Sequence, residues 1–534
     1  MSRRTRKTEY WQDAPQRRNQ LVLIPRTLDS LIPPDHPVRL VDEILSGLDW
    51  RAYEAEYHGR RGQPPIHPSV LAKILLFAMI RRLRSSRQIE YELKHSIDFM
   101  WLSSGRQIDH TTLSEFRRRH SDGLRSIFRQ MIRLAIDLKI ANLSELCIDG
   151  TRVLADANRY RTWTAARLSR ALEQLDSQIA EAMENLDVAD TLERDLLGED
   201  SSADRLPQAV ANLKERREQL AALQETAREM DEIRRKNGSQ GPAQLPRADP
   251  DSRILPNKEG GYAANYTPMA TTETQGGLVV HSDVLIGNVE HDQLPDIVDE
   301  VNRDHAADVK QILVDSAYTT GRNLTTAEEQ QFEITGPLAE LHVPDNPALR
   351  ADLTQPVASE LIENLPVNPQ TRRFDKSAFV YEEKSNSYYC PAGKQLPHRT
   401  TEKATRSGGR KVTRYIYTCG ECSGCELAAR CRRKPDSKRG REVIDDEHES
   451  ARRHHRVRMQ SENARQDIRR RQHTAEVPFA VIKACFGMRR FLLRGIAGVK
   501  QERRWGITAF NLKKLMAQID RIRPNESPSS WNER

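Results

Sequence analysis

Two short apolar segments of this chain each end in an aspartate, and no other feature limits the possible folds as strongly. Residues 146–148 (Leu-Cys-Ile) are followed by Asp149, and residues 312–314 (Ile-Leu-Val) are followed by Asp315. Short aliphatic runs of this kind are typical of buried strands. The sequence therefore predicts an α/β core in which two acids stand at strand ends.

The remaining elements of this core are predicted from the hydrophobic pattern between and after the two aspartates. Alternation of apolar and polar residues indicates strands, and an apolar residue every three or four positions indicates a helix. The predicted elements are strands over 265–274, 277–286 and 332–336 and a helix over 288–304.

Glu476 is the third acid that the sequence associates with this core. It is predicted to open the last helix of the core, over 476–486, because Pro478 suits a first helical turn. At about 100° per residue, Lys483 falls within about 40° of Glu476 on this helix. Two very small side chains share the same flank. The acid and the lysine would therefore lie on an open surface that a bulky phosphate backbone can approach.

Three acids at strand ends and on a neighbouring helix can hold two divalent cations about 3.5–4 Å apart for phosphoryl transfer. Each acid also has an ordinary structural interpretation. Asp149 with its following glycine suits a hairpin turn, Asp315 suits a helix cap, and Glu476 suits the positive end of a helix. Only the three residues together predict a catalytic site.

Two helical regions flank or interrupt the core. Residues 21–140 follow a helical period, and arginines at 81–87 and 117–119 would allow this module to hold DNA phosphates. An ordinary helical packing domain is the alternative. Between residues 165 and 237, apolar residues at three- and four-residue spacing predict two long antiparallel helices. This inserted hairpin would serve a structural role or, alternatively, oligomerisation.

Positive charge is concentrated near the C-terminal end of the chain. The net charge is +8, whereas residues 465–514 alone contain thirteen Lys/Arg and three Asp/Glu. A solvated helical surface is one interpretation of such a run. Phosphate contact is preferred because apolar residues alternate with the arginines and imply an ordered face. A polyanionic partner such as DNA is therefore expected.

Five of the seven cysteines are clustered between residues 390 and 431. Tetrahedral Zn²⁺ favours four thiolates held by tight turns, and Cys-x-x-Cys spacing at 419–425 suits this geometry. Buried thiols without a metal are the alternative, and Cys147 and Cys485 are expected simply to pack in the core. The predicted zinc ligands are Cys390, Cys422, Cys425 and Cys431, with Cys419 as the alternative ligand.

The sequence contains no membrane signal. The longest apolar run, over 70–80, is interrupted by Lys73 and is shorter than the roughly 20 residues of a membrane span. The basic N-terminus lacks an apolar segment of the kind found in secretory signals. We therefore expect a cytoplasmic protein, associated with the nucleoid if DNA is its partner.

Several motifs, in order, resemble those of bacterial insertion-sequence transposases of the DDE type. They are Thr-Thr-Leu-Ser-Glu-Phe-Arg-Arg-Arg-His at 111–120, Ile-Asp-Gly-Thr-Arg-Val at 148–153, Val-Asp-Ser-Ala-Tyr at 314–318 and Ala-Glu-Val-Pro-Phe-Ala-Val-Ile-Lys at 475–483. The likeness covers roughly residues 20–515. One departure concerns the tyrosine and arginine that relatives carry before the glutamate, because here the nearest arginine is Arg471 and no tyrosine is close.

The resemblance implies a fold and a set of functional residues. The fold would be α/β, with an RNase H-like catalytic core and a mixed sheet, interrupted by a helical hairpin and a cysteine-rich insertion and preceded by an all-helical domain. Asp149, Asp315 and Glu476 would bind Mg²⁺ or Mn²⁺. The implied DNA-binding residues are Lys483, Arg471, Arg489, Arg490 and Arg494.

The activity implied by the resemblance is cleavage of DNA at insertion-sequence ends and strand transfer into target DNA. Double-stranded DNA would be the partner, both as transposon ends and as target, and pairing of two ends would require a homo-oligomer. Two alternatives are a catalytically inactive DNA-binding regulator and a metal-dependent nuclease without strand transfer.

The corresponding division of the chain has seven parts. They are a basic arm (1–20), a helical DNA-binding domain (21–140), the first parts of the core (141–160 and 256–340), the helical hairpin (161–255), the cysteine-cluster insertion (341–455), the C-terminal part of the core (456–520) and a disordered tail (521–534).

Overall fold

The computed structural model describes residues 27–57, 65–197, 208–236, 238–257, 260–287, 291–338, 345–405, 411–435, 437 and 439–522. The predicted basic arm and residues 523–534 of the predicted tail lie outside these ranges. The described helices are α1 (Pro37–Ser46), α2 (Arg51–Glu54), α3 (Pro68–Ile80), α4 (Ser86–His95), α5 (Ile97–Ser103), α6 (His110–Arg118), α7 (Ser121–Asp137), α8 (Ala165–Leu197), α9 (Gln208–Lys236), α10 (Leu294–His305), α11 (Gly321–Glu329), α12 (Ala428–Cys431), α13 (Glu449–Arg458), α14 (Glu462–Ala480) and α15 (Ile496–Ile522).

The strands form a mixed core sheet, a separate antiparallel sheet and one short pair. Short 3₁₀ turns connect several elements, and a π-helical turn at Val481–Cys485 follows α14 directly. The strands are β1 (Glu145–Gly150), β2 (Val153–Leu154), β3 (Thr162–Trp163), β4 (Leu245–Pro246), β5 (Arg253–Pro256), β6 (Tyr262–Glu273), β7 (Val279–His281), β8 (Val284–Leu285), β9 (Gln311–Leu313), β10 (Glu333–Thr335), β11 (Val380–Glu382), β12 (Ser387–Tyr389), β13 (Gln395–Thr405), β14 (Lys411–Thr418) and β15 (Glu442–Asp446).

The core sheet has strand order β10-β9-β1-β6-β2, and β5, β7 and β8 also pair with β6. Strand β1 is parallel to β9 and antiparallel to β6, and β9 is parallel to β10. The register matches Cys147 with Leu313. The prediction of a mixed α/β core is therefore confirmed. The short strands β2, β3, β4 and β5 were not predicted.

The N-terminal helices, the sheet and α15 share one hydrophobic cluster. Helix α15 packs against α1, α3, α6 and α7 as well as β8. Trp505 of α15 is fully buried, and its indole donates to the backbone oxygen of Arg117, 3.1 Å away. Packing on this long apolar helix therefore holds the N-terminal helices on the core.

Helices α8 and α9 form the predicted antiparallel hairpin. Arg217 pairs with Asp176, and Gln224 donates to Ser169 at 2.8 Å. These two contacts show that the helices run in opposite directions. Leucines at three- and four-residue spacing fill the contact between the helices. The strand pair β3 and β4 closes the base of this hairpin.

The cysteine-rich insertion contains its own antiparallel sheet, β11-β12-β13-β14-β15, and its own hydrophobic cluster. Buried tyrosines of this sheet contact one another edge to face, as in Tyr388 and Tyr417 at 5.1 Å between ring centroids. Strand β15 leads directly into α13 and then α14. The insertion therefore ends immediately before the helix that carries Glu476.

Two predictions about the helix of Glu476 were wrong, and so was the expectation that Cys485 packs in the core, because this residue is exposed. Glu476 lies near the C-terminal end of α14 and Pro478 lies inside that helix, because the helix begins at residue 462 with Ser461 as its cap. The last helix is α15, not the predicted 476–486 segment. The alternative of a hairpin turn at Asp149 is also excluded, because this residue pairs with Ala270 inside the β1–β6 ladder.

Asp315 does not cap the next helix. Its Oδ1 accepts from the backbone N–H of Ala317 at 2.9 Å, which forms a local turn. Helix α11 is capped instead by Thr320, whose hydroxyl accepts from Asn323 N–H at 3.2 Å. Over the described ranges, no helix is both long and apolar enough to cross a bilayer.

Candidate active site

Asp149 and Asp315 lie side by side because of the strand register. The parallel ladder pairs Cys147 with Leu313, and two residues further along each strand the register reaches the two aspartates. Alternate residues of a strand share one face. Cys147 and Leu313 pack together with Ala475 of α14, so this face is the one that α14 covers. The two acids therefore face α14 at the same level of the sheet.

Helix α14 runs along the two strands in the same direction. Asp467 accepts from Gln311 at the start of β9 (2.9 Å), and Arg470 donates to Glu145 at the start of β1 (2.5 Å). One turn later Ala475 lies on the middle of both strands. Successive residues of the helix therefore contact successive residues of the two strands, in the direction of the strand ends that carry the acids.

Arg471 lies between the two aspartates. Its Nη2 is 3.5 Å from Asp149 Oδ1 and 3.9 Å from Asp315 Oδ2. The arginine and Asp149 side chains are only 15% and 18% exposed, whereas Asp315 is 43% exposed. A cation at this position offsets the repulsion between two neighbouring carboxylates. The site is therefore a carboxylate pair around a positive charge, open on the Asp315 side.

Lys483 reaches the same end of β1 from the π-helical turn. Its Nζ donates to Thr151 Oγ1 at 2.6 Å, and Thr151 lies two residues after Asp149 on the same strand face. Glu476 is exposed, and among the described residues no hydrogen bond or ion pair involves its side chain. On an ideal α-helix Glu476 and Lys483 lie about 20° apart. Helix α14 ends at Ala480, however, and Lys483 lies in the π-helical turn, so its contact with Thr151 does not fix the direction of the Glu476 side chain.

The residues directly beneath the two aspartates are buried and apolar. Cys147 is fully buried beneath the acids, and burial raises the pKa of its thiol to about 12, with Glu145 adding to the rise and Arg471 opposing it. The protonated thiol therefore behaves here as a small apolar group. It supports the acids and does not compete with them for a cation.

The loop from Gly487 to Gly495 carries the arginines at 489, 490 and 494, which are all exposed. Both glycines adopt positive φ values, 69° and 73°, that other residues rarely tolerate. Between them the backbone joins the sheet, because Leu154 N–H donates to Arg489 O and Phe491 N–H donates to Leu154 O. The loop is therefore an ordered extension of the core.

A buried ion pair fixes this loop from below. Glu502 of α15 accepts from the backbone N–H groups of Leu492 and Leu493 at 2.8 and 2.9 Å. Arg84 donates to Glu502 at 2.5 Å and also to the backbone oxygens of Gly487 and Arg490. Arg84 is therefore a structural residue rather than a phosphate contact. Arg117 is also buried and donates to the backbone of Arg84.

Three of these supporting residues were missed from the sequence. Thr151 carries no pattern that marks it as a lysine partner. Arg84 looks like any member of an arginine-rich run. Only Glu502 could have been recognised from the sequence. It is an isolated acid in the strongly basic stretch, and such an acid is often the buried ion-pair partner of one of the cations.

The five clustered cysteines line one small cavity together with Phe374, Leu427 and Arg441. Burial raises the pKa of Cys431 to about 11, Arg441 opposes this rise, and Cys422, Cys390 and Cys425 add to it. Burial also raises the pKa of Cys419 to about 12, with contributions from Cys422 and Cys390. The backbone N–H of Arg441 donates to Cys422 Sγ at 3.3 Å.

The side-chain positions do not form a closed metal site in either region. Within the part of the chain that the structure describes, no group of three or more His, Cys, Asp or Glu residues is arranged to hold a metal ion. At the acid pair, Arg471 lies at the convergence point. At the cysteines, the thiols share a cavity without the geometry of a complete ligand set.

Two family models match the chain. Residues 26–119 match a family described as a transposase domain (DUF772), and residues 389–516 match a family described as a transposase DDE domain. The second match contains Glu476, Lys483 and the cysteine cluster. Asp149 and Asp315 lie between the two matches. None of the curated proteins matches the chain significantly.

A comparison with solved structures gives one described neighbour, the cryo-EM structure of piggyBac transposase in a synaptic complex with hairpin DNA. The alignment covers 92% of this chain and 77% of that chain, with 10% identity and a TM-score of 0.31. At this TM-score nothing is inferred from the likeness.

Proposed function

We propose that this chain, which is a DNA transposase of the DDE type and hence an enzyme of the polynucleotidyl-transferase class, cuts insertion-sequence ends and joins them to target DNA at Asp149, Asp315 and Glu476. One observation carries the proposal. Asp149 and Asp315 lie at one level of two adjacent parallel strands, on the face that α14, the helix of Glu476, covers.

An RNase H-like core is proposed on the same grounds. The central strand β1 has an antiparallel neighbour on one side and two successive parallel strands on the other. The first acid lies on the central strand and the second follows its parallel neighbour. This is the arrangement expected of an RNase H-like core with its acids at the sheet's open end.

The donor set fits a divalent cation. Two carboxylates already converge on one positive group, and carboxylate oxygens are the ligands that Mg²⁺ and Mn²⁺ prefer. Glu476 is proposed as the third carboxylate because it lies in the segment that matches a transposase DDE domain. When bound, such ions would stabilise the negative charge on the attacking and leaving oxygens of the phosphodiester. Asp149, Asp315 and Glu476 are the residues that would hold them.

Cationic side chains around the acids would hold the DNA. Lys483 donates to Thr151, two residues after Asp149, and is proposed to bind a phosphate that occupies the site. Arg471 can exchange its two carboxylates for phosphate oxygen when a divalent cation takes its place. Arg489, Arg490 and Arg494 present exposed guanidinium groups on the ordered loop after Lys483. Because these are phosphate contacts, affinity should fall steeply with salt.

The cysteine cavity is proposed as a structural Zn²⁺ site. All five clustered cysteines line this cavity. Cys390, Cys422, Cys425 and Cys431 are kept as the proposed ligand set from the sequence, with Cys419 as the alternative ligand. The donation of Arg441 N–H to Cys422 Sγ would stabilise a thiolate. Pairing of two DNA ends by a homo-oligomer is part of the same proposal.

Replacement of Asp315 by Asn tests the catalytic assignment. The substitution removes a carboxylate charge worth several kcal/mol in the transition state, so Mg²⁺-dependent cleavage of insertion-end DNA should fall about a thousandfold. DNA binding should be retained because the change removes negative charge. Asp308→Asn is the matched control, since Asp308 is exposed near the start of β9 and pairs only with Lys310.

The assay also separates the alternative activities. Joined donor and target products require strand transfer, so a nuclease would give cut ends only. A DNA-binding regulator would give neither product with the unchanged protein. Cleavage by Asp315→Asn at the rate of Asp308→Asn would refute the assignment.

A further inference from the structure

An arginine-lined cleft lies beside the acid site and is distinct from it. Its volume is about 1120 Å³, and six arginines and one acid are among its lining residues. One wall is the base of the helical hairpin, around β3 and β4. The other is formed by β2, β6 and the loop after Lys483. The arginines are Arg159, Arg161, Arg167, Arg247, Arg490 and Arg494.

Charge in this cleft is only partly offset by protein groups. Asp156, the acidic lining residue, pairs with Arg494 at 2.8 Å. Arg161, Arg247 and Arg490 are exposed, and none of them has an ion-pair partner among the described residues. A concave surface with several uncompensated guanidinium groups attracts phosphates.

The cleft also has an aromatic residue in its lining, Tyr160, and a second ring, Trp163, contacts one of its arginines. Tyr160 is 75% exposed, and the Arg159 guanidinium lies 4.6 Å from its ring centroid. Arg247 lies 4.0 Å from the Trp163 ring centroid. Arg159 also donates to the Tyr160 hydroxyl, so the ring is held by the arginine while most of its surface stays exposed. An exposed ring held by a cation is a platform on which a nucleobase can stack.

This combination favours unpaired DNA over duplex. In a duplex, the phosphates are outside and the base faces are hidden in the stack, so a tyrosine ring has no base face to contact. Grooves that hold single strands combine a basic track with aromatic stacking surfaces, as this cleft does.

The cleft is continuous with the acid site through β1 and β2. Leu154 lines the cleft and lies five residues after Asp149, or roughly 17 Å along an extended strand. On the opposite side, Arg490 follows Lys483 by seven residues and bridges to Leu154. A strand attacked at the acid pair would therefore reach the cleft within a few nucleotides.

We propose that this cleft binds unpaired nucleotides of the DNA strand next to the phosphate under attack, with a base stacked on Tyr160 and phosphates on the arginines. The identity of the strand rests on the proposed transposase chemistry at Asp149 and Asp315. The helical hairpin thereby gains a role, because its base supplies one wall of the cleft.

The test is a binding comparison in buffer without added divalent cation, where no Mg²⁺-dependent cutting occurs and a structural Zn²⁺ stays bound. Two labelled DNAs of equal length are used, one fully paired and one forked with unpaired arms at one end. The unchanged protein should bind the forked DNA more tightly. Tyr160→Ala should weaken forked-DNA binding by about tenfold and duplex binding by less than about twofold, while Tyr160→Phe keeps the ring and the preference.

Two further measurements distinguish binding in the cleft from a general effect of positive charge on DNA affinity. Arg161→Ala should reduce forked-DNA binding, and Arg235→Ala, an exposed arginine of α9 outside the cleft, should leave the preference unchanged. A 2-aminopurine base in the unpaired arm should change its fluorescence on binding to the unchanged protein and Tyr160→Phe but not to Tyr160→Ala.

Equal loss on both DNAs, or no preference for the fork in the unchanged protein, would overturn the proposal. The outcome is independent of the cleavage assay, because binding without added Mg²⁺ does not require the acids to hold a metal. Failure of the Asp315→Asn test would remove the catalytic assignment and leave a measured fork preference standing.

Discussion

Replacement of Glu449 by Gln should destabilise the protein near neutral pH and have little effect in acid. Glu449 begins α13, immediately after the cysteine-rich insertion, and is only 4% exposed. It pairs with Lys376 of the insertion at 2.9 Å and with Arg456 of its own helix at 2.7 Å. The carboxylate therefore joins the insertion to the segment that leads into α14.

The size of the effect follows from the pKa of Glu449. Burial alone would raise this pKa, but the charges of Lys376 and Arg456 lower it from 4.5 to about 2. A difference of about 2.5 pKa units corresponds to about 3 kcal/mol. Because the folded-state pKa is the lower one, this stabilisation is complete well above pH 4.5. It is lost as the pH falls from about 4.5 to about 2.

Urea unfolding followed by far-ultraviolet circular dichroism, at several pH values from about 7 to about 2, measures this directly. Glu449→Gln should lower the free energy of unfolding by about 3 kcal/mol at neutral pH, and the two proteins should converge near pH 2. Glu363→Gln is the matched control. Its ion pair with Arg430 is on the surface, with the glutamate 82% exposed, so the expected change is below about 1 kcal/mol.

A constant difference between the unchanged protein and Glu449→Gln across this pH range would refute the reasoning. Such a result would mean that the loss comes from packing or hydrogen bonding and not from the charge of the carboxylate. A loss as small as that of Glu363→Gln at neutral pH would equally refute it, because a buried pair that loses one partner leaves the other cation uncompensated.

Three other predictions concern the cysteines and the buried ion pair. Purified protein should contain about one zinc per chain by atomic absorption. Cys422→Ser should lose this zinc and Cys419→Ser should keep it. Zinc retained by Cys422→Ser would contradict the proposed ligand set. Exposed Cys485 should react with a maleimide while buried Cys147, whose pKa burial raises to about 12, stays unmodified until the protein unfolds, as peptide mass spectrometry can establish. Glu502→Gln leaves Arg84 buried without its counter-charge, so we expect a loss of about 3 kcal/mol and faster hydrogen exchange over residues 487–495; unchanged exchange there would show that the loop is held by other contacts.

The strands of the core could be predicted because their sequences are locally decisive. The aliphatic runs before Asp149 and Asp315 have no helical period and are bounded on both sides by polar residues. The long hairpin α8–α9 was equally clear, since leucine spacing extends over many turns. In both cases the pattern within one segment is enough, and distant contacts only confirm it.

Helix boundaries near Glu476 could not be predicted, because the local signals pointed the wrong way. Pro478 suits a first turn, yet it lies inside α14 and the helix begins sixteen residues earlier at Glu462. Contacts with the sheet, such as Ala475 on Cys147 and Leu313, stabilise the continuous helix. Tertiary packing of this kind outweighs a single propensity signal.

The roles of individual arginines also exceeded what the sequence can decide. Arg84 and Arg490 are both members of basic runs, but Arg84 is buried against Glu502 and Arg490 is exposed in the cleft. Their difference depends on a partner more than 400 residues away in the chain for Arg84. Composition identifies a basic surface. Only the fold shows which arginines are used in ion pairs within the protein and which remain exposed to bind DNA.

The π-helical turn after α14 connects the acid pair to the cleft. An ideal α-helix through residue 486 would keep Lys483 and Glu476 on one stripe, but the backbone from Val481 to Cys485 is wider, with Phe486 N–H donating to Val481 O. Such single turns are frequent at functional sites because they redirect one side chain without ending the helix. Here the redirected residue is Lys483, which reaches Thr151 beside Asp149, and Gly487 then reverses the chain toward the arginine loop. The position of Lys483 at the acids and of Arg490 in the cleft therefore depends on the same turn, so a residue deleted within 481–485 should disturb cleavage and fork preference together.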